Sequence, residues 1–222
     1  GACVCTSHTH CQEWLSMEEL KSRHGASWIK ELWPRIEEAV KSTRGIIMTY
    51  NMEVIQPLYH SSSGGKTENS EDVFASALPY LKSVSSPFEE EAPVFMDKKE
   101  IPIGDFIKSL QTKEKTFKID RKNILAEIQI LERNLGGSIK NIKIGNKNFT
   151  GSEIRKIFDL RSADFTIDGD KNNIYFITKG YGHGVGMSQW GANGMAQQGS
   201  DYLEILRHYY QGIELSKLKS YN

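Results

Sequence analysis

The sequence predicts a mixed α+β fold, in which a larger core domain carries an inserted smaller unit made of a helix and a hairpin. Two observations indicate this. Apolar residues recur at helical spacing in some segments and form strand-like runs in others. The character of the chain also changes near residue 92 and changes back near residue 165. We therefore expect the core at residues 1–91 and 166–222 and the inserted unit at residues 92–165.

The first part of the core combines a helix with a hairpin. The segment "WPRIEEAVKSTRG" predicts a helix that begins at Pro34 and ends before Gly45. The runs "IIMTY" and "EVIQPLY" predict two hairpin strands on either side of Asn51 and Met52. The second strand leads into "HSSSGGKTE", which is dense in turn residues. We interpret the later acidic run, Glu89–Glu91, as a solvated linker.

The inserted unit and the last part of the core also combine predicted helices with predicted strands. A short helix is predicted in "IPIGDFIKSLQ", and two strands in "NILAEIQILER" and "SIKNIKIGN" around Gly136 and Gly137. "GSEIRKIFDL" predicts an amphipathic helix that Ser152 could cap. "DFTID" and "NIYFITKG" predict a further strand pair. One helix is expected from about Ser188 and a last one in "DYLEILRHYY".

Composition excludes two classes of protein. The 28 basic residues balance the 28 acidic ones and form no cluster, which argues against a nucleic-acid partner. No apolar stretch is long enough to span a bilayer. Hydrophobic residues make up 38% of the chain, which is enough to bury a core.

The three cysteines lie within the first eleven residues, as Cys3, Cys5 and Cys11. An odd, crowded set is a poor disulfide framework. Thiol and imidazole groups this close favour zinc, so Cys5, Cys11 and either His8 or His10 are the candidate metal ligands. His8 has the easier spacing to Cys11, and the fourth ligand would be water or a residue further upstream. The alternative is a chain terminus with free thiols.

Two glycine-rich loops carry the candidate binding residues. Glycines let a ligand approach the backbone closely, and hydroxyl, ammonium and carboxylate groups beside them suit a ligand rich in hydroxyls and amides. A plain polar turn is the alternative for the first loop. The first loop, which we call the serine–glycine loop, consists of Ser61, Ser62, Ser63, Gly64, Gly65, Lys66, Thr67 and Glu68.

The second loop, residues 180–186, surrounds one histidine with glycines, and we call it the His183 loop. The imidazole could act as a donor, an acceptor or a proton carrier. Gln189 adds an amide, and Trp190 offers a flat apolar face of the kind that stacks on sugar rings. We count Tyr181, His183, Gln189 and Trp190 as candidate ligand contacts. The alternative is a tight strand-to-helix turn with Trp190 in the core.

Several catalytic motifs are missing. The chain has no G-x-S-x-G elbow, no phosphate loop and no dinucleotide fingerprint. No pair of carboxylates of the kind used by glycoside hydrolases can be singled out. Glu68 is the acid with the most suggestive setting.

The blocks "HCQEW", "AVKSTRGIIMTYN", "YHSSSGGKTE", "LPYLKSV", "GYGHGVGMSQWGANGMAQQG" and "ILRHYYQGI" resemble, in this order, the stage II sporulation protein D family, which is related to the amidase enhancers. The opening cysteines and histidines look most like those of clostridial members. The resemblance implies a core with an inserted smaller domain and a groove between them. It also implies a lytic transglycosylase that cleaves peptidoglycan strands lacking stem peptides and leaves 1,6-anhydro-N-acetylmuramic acid ends.

The resemblance further implies a place and partners. Family members act outside the cytoplasm during forespore engulfment, anchored in the mother-cell membrane by an N-terminal helix, and work with the amidase stage II sporulation protein P. Their catalytic glutamate lies upstream of the "HCQ" block, so we expect the catalytic acid upstream of residue 1 and do not assign that role to Glu68. Zinc would then hold the segment that follows the catalytic helix.

Two other functions stay open at this stage. The chain could be a non-catalytic module that binds glycan or recruits the amidase, as an amidase enhancer would. A purely structural zinc-binding domain is disfavoured, because a scaffold does not need the polar, glycine-rich loops.

Overall fold

The computed structural model describes residue 6 and residues 14–74 and 76–218. The fold is mixed α+β, 35% helical and 27% strand, which confirms the predicted class. Two compact units are present, one of residues 1–47 with 215–222 and one of residues 48–214. The division into a core and an insert at residues 92 and 165 stays a prediction.

The helices and strands of the described residues follow one another in mixed order. The helices are α1 (Met17–His24), α2 (Ala26–Ser42), α3 (Ser70–Val73), α4 (Ile103–Lys113), α5 (Gly151–Ile157), α6 (Gln189–Gln197) and α7 (Tyr202–Tyr209). The strands are β1 (Ile46–Tyr50), β2 (Glu53–Val54), β3 (Tyr59–His60), β4 (Met96–Pro102), β5 (Ile128–Arg133), β6 (Ile139–Ile144), β7 (Lys147–Phe149), β8 (Phe165–Gly169), β9 (Asn173–Lys179), β10 (Met187–Ser188) and β11 (Glu214–Lys217). Short 3-10 helices occupy Glu89–Glu91 and Ile124–Glu127.

The helix predicted to begin at Pro34 begins eight residues earlier, so this prediction is wrong. Pro34 lies inside α2, where it removes one backbone donor. The segment before it, "ASWIKELW", contains the strong helix formers Ala, Lys, Glu and Leu. The loss of a single hydrogen bond therefore does not end the helix.

β1 and β2 form the predicted antiparallel hairpin. Asn51 and Met52 have φ angles of 51° and 67°, as a two-residue hairpin turn requires. The prediction that the second strand continues through "EVIQPLY" is wrong, because β2 ends at Val54 and Pro57 interrupts the segment. Proline cannot donate a hydrogen bond to a sheet. β3 begins after it and pairs in parallel with β10.

The main hydrophobic core lies in the larger unit, around two three-stranded sheets with the orders β4–β9–β8 and β5–β6–β7. Helix α4 contacts β4, β9 and α5, and α5 contacts β6. The rings of Phe106 and Phe158 stack with their centroids 5.1 Å apart, and Phe158 and Phe176 are separated by the same 5.1 Å. Ile142, Ile144, Ile154 and Ile174 are fully buried beside them.

Two local predictions in this unit are corrected. Glu89 is not part of a solvated linker, since it is only 1% exposed, although Glu90 and Glu91 are exposed. Ser152 does not cap α5, because Thr150 is the N-cap and forms a capping box with Glu153. The box needs a Glu three residues after the cap, and Thr150 has that spacing. In the described part of the chain, no helix is long and apolar enough to cross a membrane.

Candidate functional site: a polar cleft between two glycine-rich loops

The structure brings the serine–glycine loop and the His183 loop side by side. The serine–glycine loop follows β3 and the His183 loop precedes β10, and these two strands pair in parallel. Ser62 and Tyr181 exchange two backbone hydrogen bonds, at 3.0 and 2.8 Å, and the Glu68 N–H donates to the Gly184 carbonyl at 2.8 Å. These backbone bonds fix the two loops against each other independently of their side chains.

The glycines of the His183 loop are required by this close approach. A Cβ atom at Gly180 would lie 2.7 Å from the Ser62 carbonyl oxygen, and one at Gly182 would lie 2.7 Å from the His60 Cβ. Both glycines also have positive φ, 73° and 123°. A side chain at either position would push the loops apart.

The backbone of Val185 holds two imidazoles. Its N–H donates to Nδ1 of His183 at 3.1 Å, and its carbonyl lies 3.2 Å from Nδ1 of His60. A carbonyl only accepts, so His60 carries its hydrogen on Nδ1, whereas Nδ1 of His183 is an acceptor. The two ring centroids are 5.7 Å apart. The backbone of one residue therefore sets the hydrogen-bonding state of both rings.

Both imidazoles are neutral near pH 7. Burial lowers the pKa of His60 to about 3, and the neighbouring His183 adds to this effect. Burial also lowers the pKa of His183 to about 4, assisted by the Arg155 guanidinium. The His183 ring makes a further hydrogen bond with the backbone of Tyr59. We therefore interpret His183 first as a residue that positions its loop, and its contact with a ligand stays a prediction.

Glu68 is a buried residue of the cleft wall and is 3% exposed. Its two carboxylate oxygens accept backbone N–H groups, Oε2 from Gly136 at 3.1 Å and Oε1 from Ser138 at 2.8 Å. A Cβ at Gly136 would collide with the Glu68 carboxyl group. Glu68 therefore joins the serine–glycine loop to the turn between β5 and β6.

Asp164 is a second carboxylate of the cleft. Its Oδ1 pairs with Nη1 of Arg133 at 3.1 Å. Its Oδ2 faces Gly64, where a Cβ would lie only 2.5 Å away, and Gly137 borders the same carboxylate. Burial raises the pKa of Asp164, and the Arg133 charge opposes this shift. Asp164 therefore lines the cleft while it is held in an ion pair with Arg133.

Together these groups line a narrow cleft with about 40 Å³ of free space. Serine, glycine and charged residues make up most of its lining. The lining side chains include Ser62, Ser63, Lys66, Arg155, Lys179 and His183. Larger hollows exist among the described residues, and one of about 540 Å³ lies over β5 and β6, but its lining contains neither glycine-rich loop.

A buried network supports the serine–glycine loop from behind. Glu89 Oε1 accepts hydrogen bonds from the hydroxyls of Ser63, at 2.9 Å, and Ser86, at 2.6 Å. Ser86 also bonds the Tyr209 hydroxyl at 2.7 Å. Burial raises the pKa of Tyr209 to about 12, so it stays protonated. Gly191 in α6 leaves the room that this network occupies.

The predicted ligand contacts are only partly collected in this cleft. Six of the predicted residues line it, namely Ser62, Ser63, Gly64, Lys66, Glu68 and His183. Gln189 and Trp190 begin helix α6 and do not line it, although the Trp190 N–H donates to the Ser61 carbonyl at 3.1 Å. The candidate metal ligands Cys5, His8, His10 and Cys11 lie outside the described residues. Within residues 14–74 and 76–218, no cluster of three or more ligating side chains could hold a metal.

Sequence patterns did not reveal Arg155 and Asp164 as cleft residues. Arg155 lies in an amphipathic helix, whose pattern indicates only which face is apolar. Asp164 directly precedes a strand, and no motif surrounds it. Gly136 and Ser138 also line the cleft. The "GGS" turn that contains them is the sequence feature that could have indicated this.

The site of this α+β protein is thus a cleft of hydroxyls, backbone amides and charged groups. The chain is 37% identical to stage II sporulation protein D of Bacillus amyloliquefaciens over 210 residues, 95% of this chain and 59% of that protein. It has the same identity, 37% over 210 residues, to stage II sporulation protein D of Bacillus subtilis (strain 168). These matches confirm the predicted resemblance to the stage II sporulation protein D family.

A more distant relative is the amidase enhancer of Bacillus subtilis (strain 168), 26% identical over 226 residues, which cover 81% of this chain and 32% of that protein. The chain matches no protein-family model. It spans 59% of the length of each of the two sporulation proteins.

Proposed function

We propose that this chain forms the glycan-binding part of a peptidoglycan lytic transglycosylase. The reaction cleaves glycan strands without stem peptides and leaves 1,6-anhydro-N-acetylmuramic acid ends. The names of the relatives support the coarser function, a role in sporulation related to the cell wall. The observation that carries the finer proposal is the cleft between the serine–glycine and His183 loops.

The lining of this cleft suits a glycan. Gly64 and Gly182 lie in its lining, and the side chains of Ser62 and Lys66 border the same space. A glycan chain offers hydroxyl and acetamido groups, which pair with such donors and acceptors. Arg155 and Lys179 add charged groups at the wall.

The acid that this reaction needs is not supplied by Glu68. One carboxyl group must protonate the glycosidic oxygen and then accept the proton of the C6 hydroxyl. Both oxygens of Glu68 are already bound to backbone N–H groups. In this proposal the acid comes from the segment that precedes the "HCQ" block in the family, and the residues of this chain bind and orient the strand.

The wider setting follows from the same family. We propose an extracytoplasmic protein that acts during engulfment, is anchored in the mother-cell membrane through an N-terminal helix, and works with the amidase stage II sporulation protein P. Zinc held by Cys5, Cys11 and one histidine would support the segment next to the catalytic one.

A second candidate function is a glycan-binding enhancer that recruits the amidase and cleaves nothing. The similarity to an amidase enhancer favours it. The commitment of Glu68 to the backbone and of Asp164 to Arg133 also agrees with binding alone.

The experiment compares the 222-residue chain with a longer version that carries the upstream family segment. Each is incubated with peptide-free glycan strands, and anhydro ends are counted by mass spectrometry. Cleavage by the longer version alone supports the proposal, and a Glu→Gln change in the added segment is the control. If neither version cleaves but both bind, the enhancer is the correct function. Cleavage by the short chain would contradict the assignment of the acid.

A further inference from the structure

Arg155 presents an unused positive charge to the cleft. Its Nε donates to the Leu160 carbonyl at 3.2 Å, and this is the one hydrogen bond of its side chain among the described residues. No carboxylate in the described part of the chain lies within salt-bridge distance of it. The side chain is half-buried and lines the cleft beside His183 and Gly182. A guanidinium held in this way is a preformed partner for an anion.

The acidic groups of the cleft are engaged elsewhere. The carboxylate of Glu68 accepts two backbone N–H groups, and Asp164 pairs with Arg133. Lys66 and Lys179 also line the cleft, and no carboxylate of residues 14–74 or 76–218 lies within ion-pair distance of either, although the Lys179 charge acts on Asp164. The charged side chains of the cleft that remain available to a ligand are therefore positive.

We propose that Arg155 binds a free carboxylate on the glycan and so determines which strands the cleft accepts. This inference rests on the proposed function, in which the cleft holds a glycan. N-acetylmuramic acid carries a lactyl carboxylate, which becomes a neutral amide when a stem peptide is attached. The planar guanidinium can bind a carboxylate through two parallel hydrogen bonds, which an amide cannot replace. Arg155 thus distinguishes peptide-free strands from substituted ones by charge as well as by size.

The test measures binding of three probes to the 222-residue chain by calorimetry. The probes are N-acetylglucosaminyl-N-acetylmuramic acid, the methylamide of its lactyl group, and N,N′-diacetylchitobiose, which has no lactyl group. We expect the acid to bind about ten-fold more tightly than the methylamide. Arg155→Gln should reduce this ratio to about one, and Arg155→Lys should restore part of it.

The matched control is Arg121→Gln, which removes an exposed guanidinium outside the cleft and should leave the ratio unchanged. Circular dichroism checks the fold of each variant. If Arg155→Gln does not fold, the comparison of Arg155→Lys with the unchanged chain and the loss of the ratio in high salt decide the question.

The outcomes separate this inference from the proposed function. Equal binding of all three probes by the unchanged chain would overturn the role of Arg155 and leave the glycan site standing. A ratio that survives in Arg155→Gln would also overturn it. Binding of none of the probes would overturn the proposed function and this inference with it.

Discussion

At the residue scale, the two imidazoles bound to Val185 couple stability to pH. His60 and His183 have pKa values lowered to about 3 and about 4, whereas both rings take up protons near pH 6.5 once the chain unfolds. The unfolded state then binds more protons between pH 6.5 and about 4, so the folded state loses stability as the pH falls through this window. Above pH 6.5 the contribution is fully present.

We therefore predict that the free energy of unfolding in urea falls by roughly 1 kcal/mol per pH unit for each ring between pH 6 and pH 4. His60→Asn keeps a donor for the Val185 carbonyl but cannot titrate, so its pH dependence should be shallower. Equal slopes for this variant and the unchanged chain would show that His60 is not held neutral by the fold.

A second prediction concerns Glu68. The change Glu68→Gln replaces one acceptor oxygen with an NH₂ group that faces a backbone donor from Gly136 or Ser138. The free energy of unfolding should fall by about 1 to 3 kcal/mol, because a buried donor loses its partner. The control is Glu90→Gln at an exposed position, which should have little effect. If urea titrations give the same free energy of unfolding for both variants, Glu68 does not stabilise the connection between the serine–glycine loop and the turn between β5 and β6.

Single residues were predictable where the backbone constrains them, and less so where the fold brings distant groups together. The glycines beside His183 were expected to admit a ligand, and this stays a prediction; the groups that approach Gly180 and Gly182 closely in the structure are Ser62 and His60 of the chain itself. Arg155 and Asp164 gave no such signal. Their importance depends on which neighbours they meet and which partners they lack.

At the element scale, helix α6 packs on the network that supports the serine–glycine loop. A Cβ at Gly191 would collide with the Tyr209 hydroxyl and lie 2.5 Å from Oγ of Ser86. We predict that Gly191→Ala lowers the free energy of unfolding by about 1 to 3 kcal/mol, since the network cannot move aside without losing hydrogen bonds.

The control for this prediction is Gly104→Ala in α4. A Cβ there would meet only Nη2 of Arg121, at 3.9 Å. Alanine favours helix over glycine, so this variant should be as stable as the unchanged chain or slightly more stable. A similar loss in both variants, measured by thermal unfolding, would show that the packing at Gly191 has no special cost.

Elements defined by local pattern were predictable, and those defined by distant pairing were not. The hairpin β1–β2 and the strands β8 and β9 follow from turn residues and apolar alternation. The parallel pair β3–β10 joins residues more than 120 positions apart, and each strand has only two residues. Such short strands leave no periodic signal, although this pair positions both loops of the cleft.

At the scale of the whole molecule, the zinc prediction concerns residues outside the described ranges. Thiolate and imidazole donors suit zinc, and we expect about one zinc ion per chain by elemental analysis. Cys5→Ser and Cys11→Ser should lose the metal, whereas Cys3→Ser should keep it as the matched control. Comparison of His8→Ala with His10→Ala identifies the ligating histidine. Full zinc content in Cys5→Ser would contradict the proposed ligand set.

The central claim is that the cleft between the two glycine-rich loops holds the glycan, and hydrogen–deuterium exchange tests it most directly. The chain is measured with and without peptide-free glycan strands. We predict slower exchange in residues 61–68 and 180–186, with no change in the hollow over β5 and β6 that Lys118 and Gln129 line. Slower exchange confined to that hollow, or no change anywhere, would contradict it.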